Sequence, residues 1–156
     1  MTISVTETIE LACSPAEAFN HTNEAENLKS FVGYGPIPGI REARYLTPAP
    51  LAIGSRRSVL KTDGTTHIEE IIEFVPGRRH VTRIFGLSGF FGLIVRDLQD
   101  VWEFEPVSDH TTRVKRAFLV EPRTLAIPVA LLLVPLMRRA VQRDLRNTAA
   151  TIKAGR

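Results

Sequence analysis

Alternation of hydrophobic and polar residues dominates the middle of the chain and predicts β-strands. Residues 66–75 (THIEEIIEFV) are followed by the turn signal Pro76-Gly77, and Asp63-Gly64 is a strong hairpin signal. Strands joined in succession by tight turns predict an antiparallel meander. We expect seven strands, over residues 3–11, 40–47, 54–64, 66–75, 78–86, 93–107 and 110–122.

Two short helices are predicted after the first strand. Ser14 and Pro15 supply an N-cap and a first-turn proline, and Glu17 completes a capping-box spacing. Residues 24–32 (EAENLKSFV) are a second helical candidate and end before the turn-rich residues 33–39. The apolar, glycine-rich residues 87–92 (LSGFFG), in contrast, predict a loop or bend.

The last thirty residues have helical periodicity. Pro135 is expected to kink or interrupt this helix, and Asp144 lies off the apolar stripe. Fourteen consecutive residues, 124–137, carry no charge, whereas a membrane-spanning helix needs about twenty apolar residues. We therefore interpret this segment as a wall of the protein interior, enclosed at its start and lying along an open surface at its end. The apolar stripe consists of Ile127, Leu131, Val134, Val141, Leu145 and Ile152.

Composition indicates one globular domain spanning residues 1–156. The 20 basic and 17 acidic residues give a net charge of only +3, and the basic residues near the C-terminus are interpreted as a solvated helix face, so no nucleic acid partner is expected. Cys13 is the only cysteine, which excludes an intrachain disulfide and suits a reducing cytoplasm. The N-terminus lacks the features of a secretory signal, so a cytoplasmic location is predicted. A homodimer is left open.

The order of these elements resembles the START-like or helix-grip (SRPBCC) superfamily, in particular its polyketide cyclase/dehydrase and lipid transport branch. The stretches that carry the resemblance are SPAEAF, FVGYGPIPGI, EEIIEFVPG, WEFEPVSDHTTRV and VPLMRRAVQRDLRNTAATIK, and they span essentially the whole chain. The resemblance implies an α+β helix-grip fold, in which a curved antiparallel sheet of six to seven strands wraps around a long C-terminal helix. It also implies an internal cavity that holds apolar or amphipathic small molecules.

Strand parity selects the polar residues that would face such a cavity. If Trp102 and Phe104 point inward, Arg96 and Asp100 share their face. By the same alternation, Arg116 lies with Val114, Phe118 and Val120, and Glu70 lies with Ile68, Ile72 and Phe74. A bulge or a shift of one residue would reverse these assignments.

Glu70, Asp100 and Arg116 are therefore candidate catalytic residues, because charges on apolar faces are unexpected unless they pair or act on a ligand. No metal site and no cofactor are expected. The histidines lack metal-ligand spacing and are expected at the surface, and no nucleotide-binding or serine-hydrolase motif occurs. The candidate ligand-binding residues are Tyr45, Phe85, Phe91, Arg96, Trp102, Phe104, Phe118, Leu131, Val134 and Arg138.

The leading hypothesis is a protein that binds a hydrophobic or aromatic small molecule between sheet and helix. One alternative is an enzyme resembling a polyketide cyclase or dehydratase, which would act on a polyketone by acid–base chemistry. Another alternative is peripheral lipid binding or transfer, with residues 87–92 and the start of 124–137 making transient contact with a membrane.

Overall fold

A seven-stranded antiparallel sheet and a long C-terminal helix make up most of the computed structural model, which describes residues 1–155. The predicted α+β helix-grip architecture is confirmed. The strands are β1 (Ile3–Leu11), β2 (Gly33–Tyr34), β3 (Ile37–Pro38), β4 (Ile40–Tyr45), β5 (Arg56–Lys61), β6 (Thr66–Val75), β7 (Arg79–Phe85), β8 (Val95–Ser108) and β9 (Thr111–Pro122). The α-helices are α1 (Pro15–Asn23), α2 (Phe90–Ile94) and α3 (Ile127–Ala154), and Ala25–Ser30 and Thr124–Ala126 are 3-10 turns.

The sheet has the strand order β1-β9-β8-β7-β6-β5-β4, and β2 and β3 form a separate small hairpin. Consecutive strands from β4 to β9 are neighbours, as expected for a meander, and β1 joins the far edge beside β9. The β5–β6 turn uses Gly64 with a φ of 84°, which glycine adopts without strain. The Asp63 carboxylate accepts a hydrogen bond from the Thr65 amide at 2.9 Å and stabilises the same turn.

Helix α1 begins as the sequence predicts. The Ser14 hydroxyl accepts a hydrogen bond from the Glu17 amide at 3.2 Å, and Pro15 lies in the first turn of the helix. The second predicted helix forms only as the 3-10 turn Ala25–Ser30. Residues 87–92 are not entirely a loop, because the five-residue helix α2 begins at Phe90.

Two β-bulges change which side chains face the helix. One lies between Ile71 and Glu73 in β6, and the other lies between Val95 and Asp97 in β8. Each bulge offsets the alternation of side chains by one residue, so the faces on its two sides are out of phase. Face assignments made by counting along these strands therefore fail beyond the bulge.

Helix α3 continues for 28 residues without interruption at Pro135. It packs against β1, where Glu7 accepts hydrogen bonds from Arg138 at 2.8 Å and from Gln142 at 3.3 Å. Glu7 interrupts the otherwise apolar face of β1, and these hydrogen bonds to the helix explain how a carboxylate is accommodated there.

The prediction of an enclosed helix start and an open helix end is wrong. Leu125 and Leu132, near the start, are 98% and 77% exposed, whereas Val141 and Leu145 are buried. Together with the preceding turn, the helix (Thr124–Ala154) is long and apolar enough to cross a membrane by length and composition, and only 17% of its most apolar window is buried. The later turns of the helix pack in the core, whereas its first turns line the cavity with one face, which includes Ala130 and Val134, and leave the opposite face uncovered.

Candidate functional site

A cavity of about 170 Å³ lies between the inner face of the sheet and α3. Apolar side chains from several elements form most of its wall, among them Ile84, Leu98, Phe118, Val134 and Met137. An apolar cavity of roughly 150 Å³ holds a benzene molecule. The space is therefore large enough for an aromatic ring.

One group of charges in the wall joins the sheet to the helix, and we call Asp100, Arg116, Asp144 and Ser30 the Arg116 cluster. Arg116 binds both oxygens of Asp100, at 3.0 and 2.8 Å, and donates a third hydrogen bond to Asp144. The Ser30 hydroxyl donates to the other oxygen of Asp144 at 2.5 Å. All the ionic groups in this cluster are buried, so mutual pairing replaces the water that they lose.

Aromatic rings enclose the guanidinium of Arg116. Its central carbon lies 4.4 Å from the ring centroid of Trp102, 4.7 Å from that of Phe118 and 5.4 Å from that of Phe31. The faces of these rings carry negative electrostatic potential and attract the cation. Arg116 is thus held from several sides and is suited to position its neighbours.

Burial raises the pKa of Asp144 above its ordinary value, against the opposing effects of Arg116 and Ser30. A carboxyl group with a raised pKa exchanges a proton nearer to neutral pH than a free carboxyl does. Because Asp144 lines the cavity, this group can in chemical terms serve as a proton donor or acceptor for a bound molecule.

A second group of polar residues lies on β4, β5 and β6, and we call Tyr45, Arg57, His67 and Glu69 the Arg57 cluster. Arg57 donates to Glu69 at 3.1 Å and to the Tyr45 hydroxyl at 2.9 Å. Nε2 of His67 lies 3.5 Å from Glu69. Burial alone would raise the pKa of Glu69, but Arg57 and His67 hold that pKa well below its ordinary value.

His80 lies in the core beside both clusters. Its Nε2 is 2.9 Å from the Thr22 hydroxyl, and its ring stacks on Trp102. Burial, with Arg57 and Arg116 nearby, lowers the pKa of His80 to about 3. The ring is therefore neutral at physiological pH.

The structure places some of the predicted site residues in the cavity wall and others outside it. Of the candidate catalytic residues, Asp100 and Arg116 line the cavity and are in contact with each other. Their catalytic role stays a prediction, as does ligand binding by any residue. The predicted ligand-binding residues that line the cavity are Phe91, Trp102, Phe118 and Val134.

Three inward placements are wrong because of strand geometry. Glu70 points away from the cavity and pairs with Arg56 at 2.8 Å, since the bulge after Ile71 puts it out of phase with Phe74. Arg96 is the extra residue of the bulge in β8, is largely exposed and lies near Glu121. Phe85 alternates with the inward-facing Ile84 and packs between the guanidiniums of Arg56 and Arg83 on the outer face.

The other predicted binding residues also lie outside the cavity wall. Leu131 is exposed on the outer side of α3, and Arg138 pairs with Glu7 across the β1–α3 contact. Phe104 is buried in the core against Phe19. Tyr45 accepts a hydrogen bond from Arg57 and does not itself line the cavity. These positions follow from how the elements pack, which residue spacing alone does not specify.

Several polar residues of the site were missed by sequence reasoning. Arg57, His67 and Glu69 lie on strands whose inner face was assigned incorrectly or not assigned, and His67 and His80 are buried, contrary to the expected surface position. Asp144 was placed off the apolar stripe. Its spacing of three residues from Val141 and four from Thr148 puts it on the buried face, and this signal was available in the sequence.

Among residues 1–155, no group of three or more His, Cys, Asp or Glu side chains is arranged to hold a metal ion.

A family model described as polyketide cyclase / dehydrase and lipid transport matches residues 2–154. The chain belongs to this family. The match covers all the elements that form the cavity, so the resemblance seen in the sequence is confirmed. A search of curated proteins gives no significant match.

Solved structures share the fold at low sequence identity. A conserved protein from Geobacillus kaustophilus aligns with a TM-score of 0.75 and 12% identity, covering 97% of this chain and 96% of that one. Norcoclaurine synthase from Thalictrum flavum, in complex with dopamine and hydroxybenzaldehyde, aligns with a TM-score of 0.70 and 12% identity over 100% and 89% of the two chains. Ara h 8.0201 aligns with a TM-score of 0.69 and 12% identity over 99% of both chains. At such identities the likeness concerns the fold alone.

Proposed function

We propose that this protein binds a hydrophobic or aromatic small molecule in the cavity between the sheet and α3. The observation that carries the proposal is a cavity of about 170 Å³ with a mostly apolar wall inside a small domain. Protein interiors are normally packed as densely as organic crystals, so an unfilled apolar space of this size lacks contacts that a bound ligand would supply. Membership of a family that includes lipid transport proteins supports the same proposal.

Native mass spectrometry of freshly purified protein tests this function. We expect a species heavier than the bare chain, from which a small apolar compound is released on denaturation. The same compound added to stripped protein should bind saturably, with one molecule per chain. Absence of any adduct, together with no saturable binding of apolar aromatic probes, would contradict the proposal.

A second candidate function is acid–base catalysis on a polyketone, as in a polyketide cyclase or dehydratase. Asp144 favours it, because this cavity-lining carboxyl has a raised pKa and lies against Arg116. In this candidate function, Asp144 would remove a proton from the carbon next to a ketone or return one to it. Arg116, bound to Asp100, would keep the Asp144 carboxyl group in position. With a poly-β-ketone as substrate, Asp144→Asn should abolish turnover and retain binding. Unchanged turnover in this variant would exclude that role.

Peripheral membrane contact is a third candidate, favoured by the exposed apolar surface around the helix start. Leu93 of α2 is 72% exposed, and α2 is in contact with the 3-10 turn that carries the exposed Leu125 and with α3, which carries the exposed Leu132. Arg123 borders this surface, since it donates a hydrogen bond to the Gly92 carbonyl of α2 at 3.4 Å, and Arg96 follows α2 closely in the chain and lies near Glu121. Apolar side chains flanked by arginines suit an anionic lipid surface, where leucines enter the boundary and cations meet headgroups. Contact with a membrane at this surface would bring the cavity close to lipids, from which an apolar ligand could be taken.

A further inference from the structure

The Arg57 cluster leaves two buried nitrogen atoms without a hydrogen-bond partner among the described residues. These atoms are Nε of Arg57 and Nδ1 of His67. Both residues line the cavity, and only 4% of Arg57 and 7% of His67 is exposed. Most buried polar atoms in native proteins are paired, and an unpaired one destabilises the folded state. Both atoms belong to residues of the cavity wall, so a ligand group that reaches Arg57 and His67 can pair with them.

The two nitrogens have complementary hydrogen-bonding roles. The Nε–H of Arg57 can only donate, since the guanidinium keeps its protons. Nε2 of His67 faces the Glu69 carboxylate, which can only accept, so the proton of the neutral imidazole belongs on Nε2. Nδ1 is then an acceptor. The wall therefore offers one donor and one acceptor.

Strand register places the two residues that carry these atoms side by side on the inner face of the sheet. Arg57 is opposite Glu69, and Val59 is opposite His67, in the β5–β6 pair. Arg57 and His67 are thus diagonal neighbours on the same face, about 7–8 Å apart at the backbone. Their side chains are long enough to meet at a single oxygen between them.

We infer that the ligand carries a hydroxyl group, whose oxygen accepts the Nε–H of Arg57 and whose proton is donated to Nδ1 of His67. This inference rests on the proposed binding function and adds the chemical class of the ligand. A phenol or an alcohol on an apolar body satisfies both nitrogens. An ether or ketone satisfies only Arg57, and a carboxylate brings a negative charge close to the ionised Glu69.

Three probes of similar size separate these cases. Binding of 2-naphthol, 2-methoxynaphthalene and naphthalene to stripped protein is measured by isothermal titration calorimetry at pH 7.5. We expect 2-naphthol to bind at least tenfold more tightly than either of the other two. Replacement of His67 by Phe should reduce this preference to less than threefold.

A paired variant protects the test against misfolding. Arg57→Met combined with Glu69→Leu removes both buried charges together, which avoids an unpaired ion. Its matched control is Arg56→Met with Glu70→Leu, an ion pair at the next positions on the opposite face. We expect the first variant to lose the preference for 2-naphthol and the second to keep it.

The possible results distinguish this inference from the proposed function. If none of the three probes binds, the cavity does not take apolar rings and the proposed function fails. If all three probes bind with equal affinity, the binding function stands and the hydroxyl assignment is overturned. The same conclusion follows if His67→Phe and the combined Arg57→Met, Glu69→Leu variant both keep the preference for 2-naphthol.

Discussion

Arg116 of β9 forms a buried ion pair with Asp144 of α3 and thereby joins the sheet to the closing helix at the cavity wall. The two residues are 28 positions apart, and the same guanidinium also holds both oxygens of Asp100. The contact connects the two layers of the fold and at the same time sets the charge inside the cavity. Its effects on stability and on binding can be measured separately.

Replacement of Arg116 by Met should lower the free energy of unfolding by about 3–5 kcal/mol, because it leaves Asp100 and Asp144 buried without a cation. Asp144→Asn should cost less, about 1–3 kcal/mol, since the amide oxygen still accepts from Ser30 and Arg116 keeps Asp100, although Arg116 loses its acceptor on Asp144. Urea unfolding at pH 7 measures both variants. Arg113→Met, which breaks an exposed pair with Glu10, is the matched control and should cost less than about 0.5 kcal/mol. A cost for Arg116→Met as small as that of the control would contradict the buried pairing.

His80 should make the protein less stable as the pH falls. The native ring stays neutral down to a pKa of about 3, whereas the unfolded ring takes up a proton below 6.5. The unfolded state thus binds more protons between these values, and the free energy of unfolding decreases as the pH falls through that range. Between pH 7 and pH 5 this group should account for about 2 kcal/mol.

His80→Phe tests this pH dependence, because a phenyl ring keeps the stacking while removing the titrating group. The Thr22 hydroxyl still donates to the Phe19 carbonyl at 3.0 Å in that variant. Urea unfolding at pH 7 and pH 5 should show a difference smaller by about 2 kcal/mol than in the parent chain. Burial also lowers the pKa of His21, and that contribution cancels when the two chains are compared. The control His110→Gln, in an exposed turn, should keep the parent difference.

Filling the cavity should block binding without unfolding the protein. Ala130 lines the cavity from α3, so Ala130→Trp places an indole in the space meant for the ligand. We expect affinity for naphthalene to fall at least tenfold. Leu132→Trp is the control on the outer side of the same helix, where the side chain is 77% exposed, and should leave affinity within about twofold. Equal affinities in the two variants would place the bound probe elsewhere.

The exposed apolar surface around the start of α3 should bind anionic vesicles. In sedimentation with phosphatidylserine-containing liposomes at low salt, the parent chain should pellet. The variant Leu93→Glu, Leu132→Glu should remain in the supernatant, because it places carboxylates where the surface would enter the lipid. The control Ile53→Glu changes an exposed apolar residue of the β4–β5 loop and should pellet like the parent.

Other results would reassign this surface. No pelleting of the parent chain at low salt would exclude the membrane contact. A concentration-dependent dimer that the double substitution abolishes would instead make the surface an interface between two copies of the chain.

Sequence alone determined the order of the elements, because each depends on local signals. Turn residues such as Asp63-Gly64, the cap at Ser14 and alternation in the strands act over a few positions and appear directly in the sequence. The inward faces of β9 and of the central part of β8 also followed from alternation. Asp100 and Arg116 could therefore be predicted to share the cavity.

Only the tertiary structure decided which other charges belong to the site and which apolar residues are covered. A bulge adds one residue to a strand and reverses its faces, so Glu69 and not Glu70 points inward. The Arg57 cluster depends on pairing between β4, β5 and β6, and the exposure of Leu125 and Leu132 depends on where the sheet meets α3. Burial is a property of the packed elements, and a single segment carries no local signal for what lies against it.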